Sequence, residues 1–390
     1  MDPNPLVPAP WLERLQGALR QRRAQGRERS IQPARGVDVC SNDYLGLRRD
    51  PRLAEAAATA ARAHGAGTGA ARLLRGTTPL HEGLEAALAA WKGTEACLLF
   101  NSGYQANATV IPALAGPGDG VFSDALNHAS LVDGCRMAKA GGATIGIFGH
   151  LDLADLAARL AAWRRAAMPG ALALVVTDAI FSMDGDAADL PGLLDLCRRH
   201  EALLLIDEAH ATGLLGPNRA GLAERQGVHG QVPLVMGTLG KALGSFGAFV
   251  CCTEELRAHL VNTARGFIFS TALPPPAVGA ALMGVHLAQA EPWRGQTALA
   301  HAARLREGLD QPPAASAIVP VPVGADTEAV RLAERLQAQG FDVRAVRPPT
   351  VPEGTARLRL TTGAHLEEAQ VEALLRALRE VLPPRRHGGH

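Results

Sequence analysis

The near-absence of lysine is the most informative chemical feature of this sequence. The chain has three lysines, Lys92, Lys139 and Lys241, so 36 of its 39 basic residues are Arg. Arg replaces Lys well on a solvated surface, but its guanidinium stays protonated and cannot attack a carbonyl group. A lysine that remains in such a chain is therefore a candidate for chemistry that requires an amine.

Lys241 has the setting of a catalytic amine. It lies in the glycine-flanked segment 237–244, directly after a predicted strand over 232–236. Open α/β sheets bind ligands at the carboxyl ends of their strands, and an amine held there is partly desolvated and nucleophilic. Lys92 and Lys139 instead close predicted helices, where a cation complements the helix dipole. We expect Lys241 to carry the chemistry and the other two lysines to be structural.

Four further polar segments follow predicted strands and should meet Lys241 at one edge of a sheet. They are 101–104, 127–130, 181–186 and 207–213. Free N–H groups at a helix start bind phosphate, a flat imidazole can cover an aromatic ring, and a carboxylate can hold a protonated ring nitrogen. With a lysine that forms a Schiff base, these groups predict a pocket for pyridoxal phosphate (PLP).

A second interpretation of one segment is an RNA-dependent NTPase. Asp207-Glu208-Ala209-His210 also matches the magnesium-binding box of a helicase class. That class requires a phosphate loop of the form G-x-x-x-x-G-K-[ST], but at Gly240-Lys241 the leading position is Val235 and the following residue is Ala242. The net charge of +1 also offers no basic surface for RNA. This alternative is therefore disfavoured, and no nucleic-acid partner is expected.

The elements that must position these residues alternate between helices and short apolar strands. Because several strands are continuous runs of Val, Leu and Ile, the pattern favours a mainly parallel sheet covered by helices on both faces. After three prolines at 274–276, the pattern changes to that of a smaller α+β unit. We predict an α/β fold divided into an N-terminal helix and short strand segment (1–50), a large domain (51–285) and a small C-terminal domain (286–390).

The predicted elements can be stated in numbers. A short hairpin-like stretch is expected at 37–40, and Thr78-Pro79 is a typical helix start. Helices are predicted at 11–25, 52–64, 79–92, 103–115, 128–140, 152–165, 189–200, 326–339 and 366–381, with one long helix after residue 276. Strands are predicted at 96–100, 120–123, 144–147, 171–177, 202–206, 232–236, 247–252, 316–322, 341–346 and 356–361.

Composition narrows the class of protein further. Apolar runs such as 172–176 are far shorter than the ~20 residues of a membrane span. The first ten residues lack the basic and apolar regions of a secretory signal, and the six cysteines lack metal-type spacing. We expect a cytoplasmic protein with reduced thiols, no metal site and frayed termini.

The motifs together resemble the α-oxoamine synthases over nearly the whole chain. These fold-type I PLP enzymes condense an amino acid with an acyl thioester and release carbon dioxide. The resemblance implies their large and small domains, PLP as cofactor and a homodimer with active sites at the interface. The similar segments are 41–47 (Ser-Asn-Asp-Tyr-Leu-Gly-Leu), 76–81 (Gly-Thr-Thr-Pro-Leu-His), 127–130, 181–186, 207–213 and 237–241.

The resemblance implies a role for each residue around the cofactor ring. Lys241 would form the Schiff base and then act as general base. Asp207 would pair with the ring nitrogen, His128 would stack on the ring and contact the substrate, and Ser182 and His210 would contact the phenolic oxygen.

The phosphate and the substrates would contact other segments. The backbone amides of Gly103 and Tyr104 and the hydroxyl of Thr238 would bind the phosphate. Arg347 is the candidate for the substrate carboxylate, because a guanidinium matches it bidentately. Arg29 and Thr350 would contact the acyl substrate.

The stretch 347–360 carries the prediction of the substrate. Its Arg-Pro-Pro-Thr start closely resembles the family members that join L-alanine to a pimeloyl thioester, carried by coenzyme A or an acyl carrier protein. Glycine acetyltransferases and 5-aminolevulinate synthases lack the Arg-Pro-Pro start and are the alternatives.

Overall fold

A seven-stranded, mostly parallel sheet forms the centre of the molecule. The computed structural model describes residues 6–382; the first five residues and the tail after 382, expected to be frayed, lie outside this range. The strand order is β2-β8-β7-β6-β5-β3-β4, and only β8 runs antiparallel to its neighbours. The strands are β2 (Ala96–Phe100), β3 (Gly120–Asp124), β4 (Thr144–Phe148), β5 (Ala173–Asp178), β6 (Ala202–Asp207), β7 (Leu234–Thr238) and β8 (Ala248–Cys252).

Both faces of this sheet are buried under helices. Successive residues of β5 show the alternation, since Val175 packs into one apolar cluster and Val176 into the cluster on the opposite face. Continuous apolar runs are the pattern expected for strands covered on both sides. The covering helices are α2 (Pro51–His64), α3 (Pro79–Lys92), α4 (Gly103–Leu114), α5 (Ala129–Ala140), α6 (Leu153–Ala166), α7 (Leu190–Arg199), α8 (Leu222–Arg225), α9 (Glu254–Thr263), α10 (Arg265–Ile268) and α11 (Pro275–Ala290).

The C-terminal part of the chain has its own sheet and apolar core. Strands β9 (Ile318–Gly324), β11 (Ala345–Val346) and β12 (Ala356–Thr361) form an antiparallel sheet in the order β11-β12-β9. Helices α12 (Trp293–Gly308), α13 (Asp326–Ala338) and α14 (Glu368–Val381) pack around it. The predicted α/β fold, with a mainly parallel sheet covered by helices, is confirmed, and the division at residues 50 and 285 stays a prediction.

The N-terminal segment differs from its prediction. After helix α1 (Ala9–Ala24), strand β1 (Val37–Asp38) forms no hairpin but pairs in parallel with β10 (Phe341–Asp342). The hairpin prediction was wrong because β1 finds its partner some 300 residues along the chain, which no local pattern reveals. The predicted strand 341–346 is likewise two short strands, β10 and β11, in different sheets.

The topology gathers one end of five strands at the same edge of the large sheet. Strands β3, β5, β6 and β7 are parallel, and β2 shares their direction because β8 is antiparallel to both β2 and β7. Their carboxyl ends therefore deliver the predicted polar segments to one crevice. Within residues 6–382, no helix is long and apolar enough to cross a membrane.

Candidate active site

Lys241 heads a chain of hydrogen bonds that begins at the carboxyl end of β7. Its Nζ lies 3.0 Å from His210 Nε2, and His210 Nδ1 lies 2.6 Å from the Tyr44 hydroxyl. Tyr44 in turn donates to Asn42 Oδ1 over 3.0 Å. A neutral His210 that accepts from Lys241 and donates to Tyr44 satisfies every link. The Ser41–Leu47 motif thus supplies a partner to the site that the sequence did not assign.

The electrostatics of this chain favour neutral groups. Burial lowers the pKa of Lys241 to about 8, although the charges of Asp207 and Asp178 oppose the shift. Burial and then the nearby Lys241 charge hold the pKa of His210 well below its ordinary value. A lysine with a pKa near neutrality has a usable fraction of free amine, as a nucleophile or general base requires.

Asp207 is buried at the end of β6, with each carboxylate oxygen fixed. Oδ1 accepts from the backbone N–H of Ala209 at 2.9 Å, and Oδ2 accepts from Asn107 Nδ2 at 2.8 Å. The side chain is 3% exposed. Because both donors are neutral, they hold a buried carboxylate without cancelling its charge.

His128 caps helix α5 beside Asp207 and Lys241. Its backbone N–H donates to Asp178 Oδ2 at 2.6 Å, and its Nδ1 lies 2.8 Å from Ser130 Oγ. Burial lowers the pKa of His128, the Asp207 charge raises it and the Lys241 charge lowers it again. The three predicted catalytic residues are therefore neighbours in the structure.

The predicted phosphate-binding groups lie at two segment starts on the same edge. Ser102 caps α4 by accepting from the Gln105 N–H at 3.1 Å, so that Gly103 and Tyr104 occupy the first turn, whose amides have no intrahelical partner. Thr238 Oγ1 accepts from the Gly240 N–H at 3.2 Å, which shapes the loop before Lys241. The Tyr104 hydroxyl is bonded to Asp133, away from these amides.

Arg359 is a cation in the site that the sequence did not single out. It is 8% exposed on β12, donates to Asn42 Oδ1 at 3.0 Å and bonds to the backbone carbonyl of Ser182. Its charge acts to lower the pKa of Lys241. Strand β12 alternates Arg357 and Arg359 with Leu358 and Leu360, so the sequence alone carries no signal that singles out Arg359.

Arg347, Arg29 and Thr350 form a separate cluster. Arg29 Nη2 lies 3.5 Å from Thr350 Oγ1, and the Arg347 guanidinium bonds to the backbone carbonyls of Gly26 and Glu28. The hydrogen bonds of Arg347 tie it to the N-terminal segment rather than to Lys241. The structure thus places Arg359, not Arg347, beside the amine.

Lys92 is a buried lysine at the end of α3, which agrees with the structural role expected for it. Its Nζ lies 2.6 Å from Glu208 and 2.8 Å from Thr212 Oγ1, with its side chain 2% exposed. It therefore fixes the segment between Asp207 and α8 through an ion pair. Its predicted place in the last turn of a helix is confirmed, and its charge is also paired with the Glu208 carboxylate.

The donor set around Lys241 fits PLP. An amine of lowered pKa, a fixed carboxylate, two neutral imidazoles and a free helix start stand at one crevice, which is the set that this cofactor requires. The site combines no phosphate loop with the Asp207–His210 segment, so the NTPase alternative has no support.

The comparisons with known proteins agree with this chemistry. Residues 34–378 match the family model of class I and II aminotransferases. An 8-amino-7-oxononanoate synthase from Anaeromyxobacter sp. (strain K) is 51% identical over 94% of this chain and 96% of its own length. The 8-amino-7-oxononanoate synthase from Geobacter sulfurreducens is 44% identical over 94% of this chain and 97% of its own length. The chain belongs to the 8-amino-7-oxononanoate synthases.

Solved structures of related enzymes share the fold of this chain. Serine palmitoyltransferase from Sphingomonas wittichii has a TM-score of 0.85 and 31% identity, covering 96% of this chain and 97% of its own. An 8-amino-7-oxononanoate synthase from Francisella tularensis has a TM-score of 0.74 and 25% identity, covering 89% and 98%. As a member of this family, the chain is a PLP-dependent acyltransferase of biotin biosynthesis.

Proposed function

We propose that this enzyme joins L-alanine to a pimeloyl thioester. The carbon–carbon bond forms between the alanine Cα and the thioester carbonyl, and the carbon–sulfur bond breaks to release the thiol. The alanine carboxylate leaves as carbon dioxide, and a proton returns to Cα to give 8-amino-7-oxononanoate. The observation that carries the proposal is the 51% identity to a synthase of that name over 94% of the chain.

The residues proposed to hold the cofactor are those that the resemblance to the α-oxoamine synthases implies. Lys241 would bind its aldehyde carbon, Asp207 its ring nitrogen, His128 its ring face, and Ser182 and His210 its phenolic oxygen. Gly103, Tyr104 and Thr238 would bind its phosphate. When bound, PLP supplies an electron sink for the carbanion at the substrate Cα.

Proton transfer in the reaction falls to Lys241. Its pKa of about 8 lets the free amine accept the Cα proton near neutral pH and return a proton later. His210 and Tyr44 hold this amine in place through the hydrogen-bond chain that ends at Asn42.

Substrate recognition divides between the two arginine sites. Arg359 lies beside the amine and would bind the alanine carboxylate through its planar fork. Arg29 and Thr350 would contact the acyl substrate, and Arg347 supports them by holding the 26–28 segment. This division moves the carboxylate role from Arg347, where the sequence placed it, to Arg359.

A homodimer is part of the same proposal. Large apolar side chains are exposed on segments next to the site, with Leu74 at 84%, Phe246 at 57% and Phe269 at 70% exposure. Phe269 belongs to the segment 267–271 that resembles the one reaching the neighbouring cofactor in relatives. Light scattering of the purified protein would show twice the chain mass if this surface is an interface between two copies.

Mass spectrometry of the products would test the substrates. The enzyme is given L-alanine with pimeloyl-CoA or pimeloyl-acyl carrier protein, and in parallel glycine with acetyl-CoA or succinyl-CoA. One methyl group in a fitted pocket is worth about 1–3 kcal/mol, or roughly 10- to 200-fold in kcat/KM. We expect kcat/KM to be higher by that factor for alanine with a pimeloyl donor. A higher kcat/KM for glycine with either short donor would refute the proposed substrates.

A further inference from the structure

Asn107 occupies a central place in the site, although no role has been assigned to it. It lies in the second turn of α4 and is fully buried. Its Nδ2 donates to Asp207 Oδ2 at 2.8 Å and to Ser130 Oγ at 3.0 Å. One amide group therefore contacts both the carboxylate at the end of β6 and the first turn of α5.

The chemistry of its partners fixes the orientation of the Asn107 amide. An ionised carboxylate can only accept, so the group that faces Asp207 must be the NH2 of the amide. Both hydrogens are then used, while Oδ1 is buried without a hydrogen-bond partner among the described residues. A flipped amide would place two acceptors against each other. The amide orientation that donates to Asp207 therefore leaves Asn107 Oδ1 buried without a hydrogen-bond partner among the described residues.

The same hydrogen bonds set the proton on His128. Ser130 Oγ accepts from Asn107, which leaves the hydroxyl hydrogen free to donate to His128 Nδ1 at 2.8 Å. The Ser130 backbone N–H donates to that same nitrogen at 3.2 Å. With two donors directed at Nδ1, the ring is neutral and its proton lies on Nε2.

Close helix packing holds this geometry. A Cβ atom added at Gly134 of α5 would lie 2.6 Å from the Asn107 backbone carbonyl and 2.8 Å from Ile111 Cδ1. Glycine therefore lets α5 touch α4 at Asn107, one turn after Ser130. The approach of the two helices brings the serine within reach of the amide.

We propose that Asn107 is a positioning residue that couples Asp207 to His128. It holds the carboxylate toward the ring nitrogen of PLP and, through Ser130, keeps His128 as the neutral Nε2–H form above the ring. A neutral imidazole can lie on a protonated pyridine ring without like-charge repulsion, and a neutral donor orients the Asp207 carboxylate without placing a second charge beside it. The proposal rests on the roles of Asp207 and His128 proposed above.

Asn107→Asp is the sharpest variant because it keeps the shape of the side chain and reverses its polarity. The new carboxylate would oppose Asp207 and accept the Ser130 hydroxyl hydrogen, so that Ser130 could no longer donate it to His128. We expect PLP affinity to fall by roughly 10- to 100-fold, the loss seen when a hydrogen-bond partner that orients a metal ligand is removed, since Asn107 orients Asp207 in the same way. The pH midpoint of the visible absorption of bound PLP should shift, and kcat should fall more than KM changes.

Asn262→Asp makes the same change at an exposed site of α9 and should match wild type in all three measurements.

Nitrogen-15 NMR of histidine in the cofactor-free enzyme tests the proposal without activity. The His128 signals are assigned by their loss in His128→Gln. In wild type we expect an unprotonated Nδ1 and a protonated Nε2. In Asn107→Asp only the Ser130 backbone N–H still donates to Nδ1, so we expect the fraction of rings protonated at Nδ1 to rise, whereas the exposed control Asn262→Asp should match wild type. A wild-type ring protonated on Nδ1 would overturn the proposal, even if Asn107→Asp failed to fold.

The cofactor measurements separate this inference from the proposed function. Asn107→Asp that folds and binds PLP with wild-type affinity and an unchanged absorption midpoint would overturn the role of Asn107 alone. A wild-type enzyme that gave the expected histidine spectrum but no product from alanine would instead refute the proposed substrates and leave the positioning role standing.

Discussion

At the scale of single residues, the site depends on charged groups made neutral by burial. The pKa of Lys241 falls to about 8 and that of His210 falls well below its ordinary value, both chiefly through desolvation. Asp207 differs from these two bases, because it is a carboxylate held by two neutral hydrogen-bond donors. The result is an amine that can exchange protons beside a fixed negative charge, which suits chemistry on a cationic ring.

The two candidate carboxylate-binding arginines can be separated by mutation. Arg359→Lys keeps the charge but removes the planar fork, so alanine should bind about 10- to 100-fold more weakly, the equivalent of ~1.5–3 kcal/mol. Arg347→Ala should affect the KM for the acyl donor more than alanine binding. Titration of the PLP absorbance with L-alanine measures the first effect directly. Weak alanine binding in Arg347→Ala with normal binding in Arg359→Lys would restore the assignment made from sequence.

Residue chemistry made part of this site predictable. Lys241 could be found because the sequence contains so few lysines, and Asp207, His210 and His128 because each follows a strand. Arg359 and Asn107 could not be found in this way. Arg359 lies inside a strand of the other sheet and Asn107 inside a helix, and only the fold brings them to the crevice.

At the scale of elements, an imidazolium clamp at His150 connects the end of β3 to the loops that follow β4 and β5. His150, in the loop after β4, places Nδ1 2.9 Å from Asp124 at the end of β3 and Nε2 2.5 Å from Asp186 in the loop after β5. Both nitrogens face carboxylates, so both carry protons. Burial opposes this charge, but the two hydrogen bonds outweigh it and raise the pKa of His150 to about 9. The clamp thereby holds the 181–186 segment, whose Ser182 carbonyl contacts Arg359.

The clamp predicts a specific dependence of stability on pH. Because the folded pKa of about 9 exceeds the ordinary 6.5, the stabilisation is fully present below about pH 6.5 and is lost as the pH rises through 9. In urea unfolding, wild type should exceed His150→Gln by on the order of 2 kcal/mol at about pH 6. The difference should shrink by about pH 10. An equal difference at both pH values would mean that the imidazolium does not contribute.

The predicted element boundaries agree with the structure where a strand or helix is determined by its own local sequence. Strand β2 matches its predicted range of 96–100, and α3 begins at Pro79 after Thr78 as expected. The errors lie where an element depends on a contact with a segment far away in the sequence, as for β1, which pairs with β10. Helices α8, α9 and α10 were not predicted; α8 and α10 have four residues each, too few to show a helical period. The single long helix predicted after residue 276 is two helices, α11 and α12, because Pro292 interrupts the chain between them.

At the scale of the whole molecule, the site is assembled from both sheets and the N-terminal segment. The large sheet supplies Lys241, Asp207 and His210, the C-terminal sheet supplies Arg359, and the segment after β1 supplies Asn42 and Tyr44. Composition and motif spacing predicted the class of fold and its cofactor, since both depend on the strand ends. They could not predict which arginine enters the crevice, because that depends on how the C-terminal sheet packs against the rest.

Borohydride trapping followed by peptide mapping tests the central claim that Lys241 is the lysine that binds PLP. The three lysines make the experiment decisive, since Lys92 is buried in an ion pair with Glu208 and Lys139 is exposed on α5. Reduction of the purified enzyme with bound PLP should abolish its visible absorption and leave the cofactor mass on the peptide that contains Lys241. Lys241→Ala should acquire no label. A label on Lys92 or Lys139, or an unchanged label in Lys241→Ala, would contradict the account.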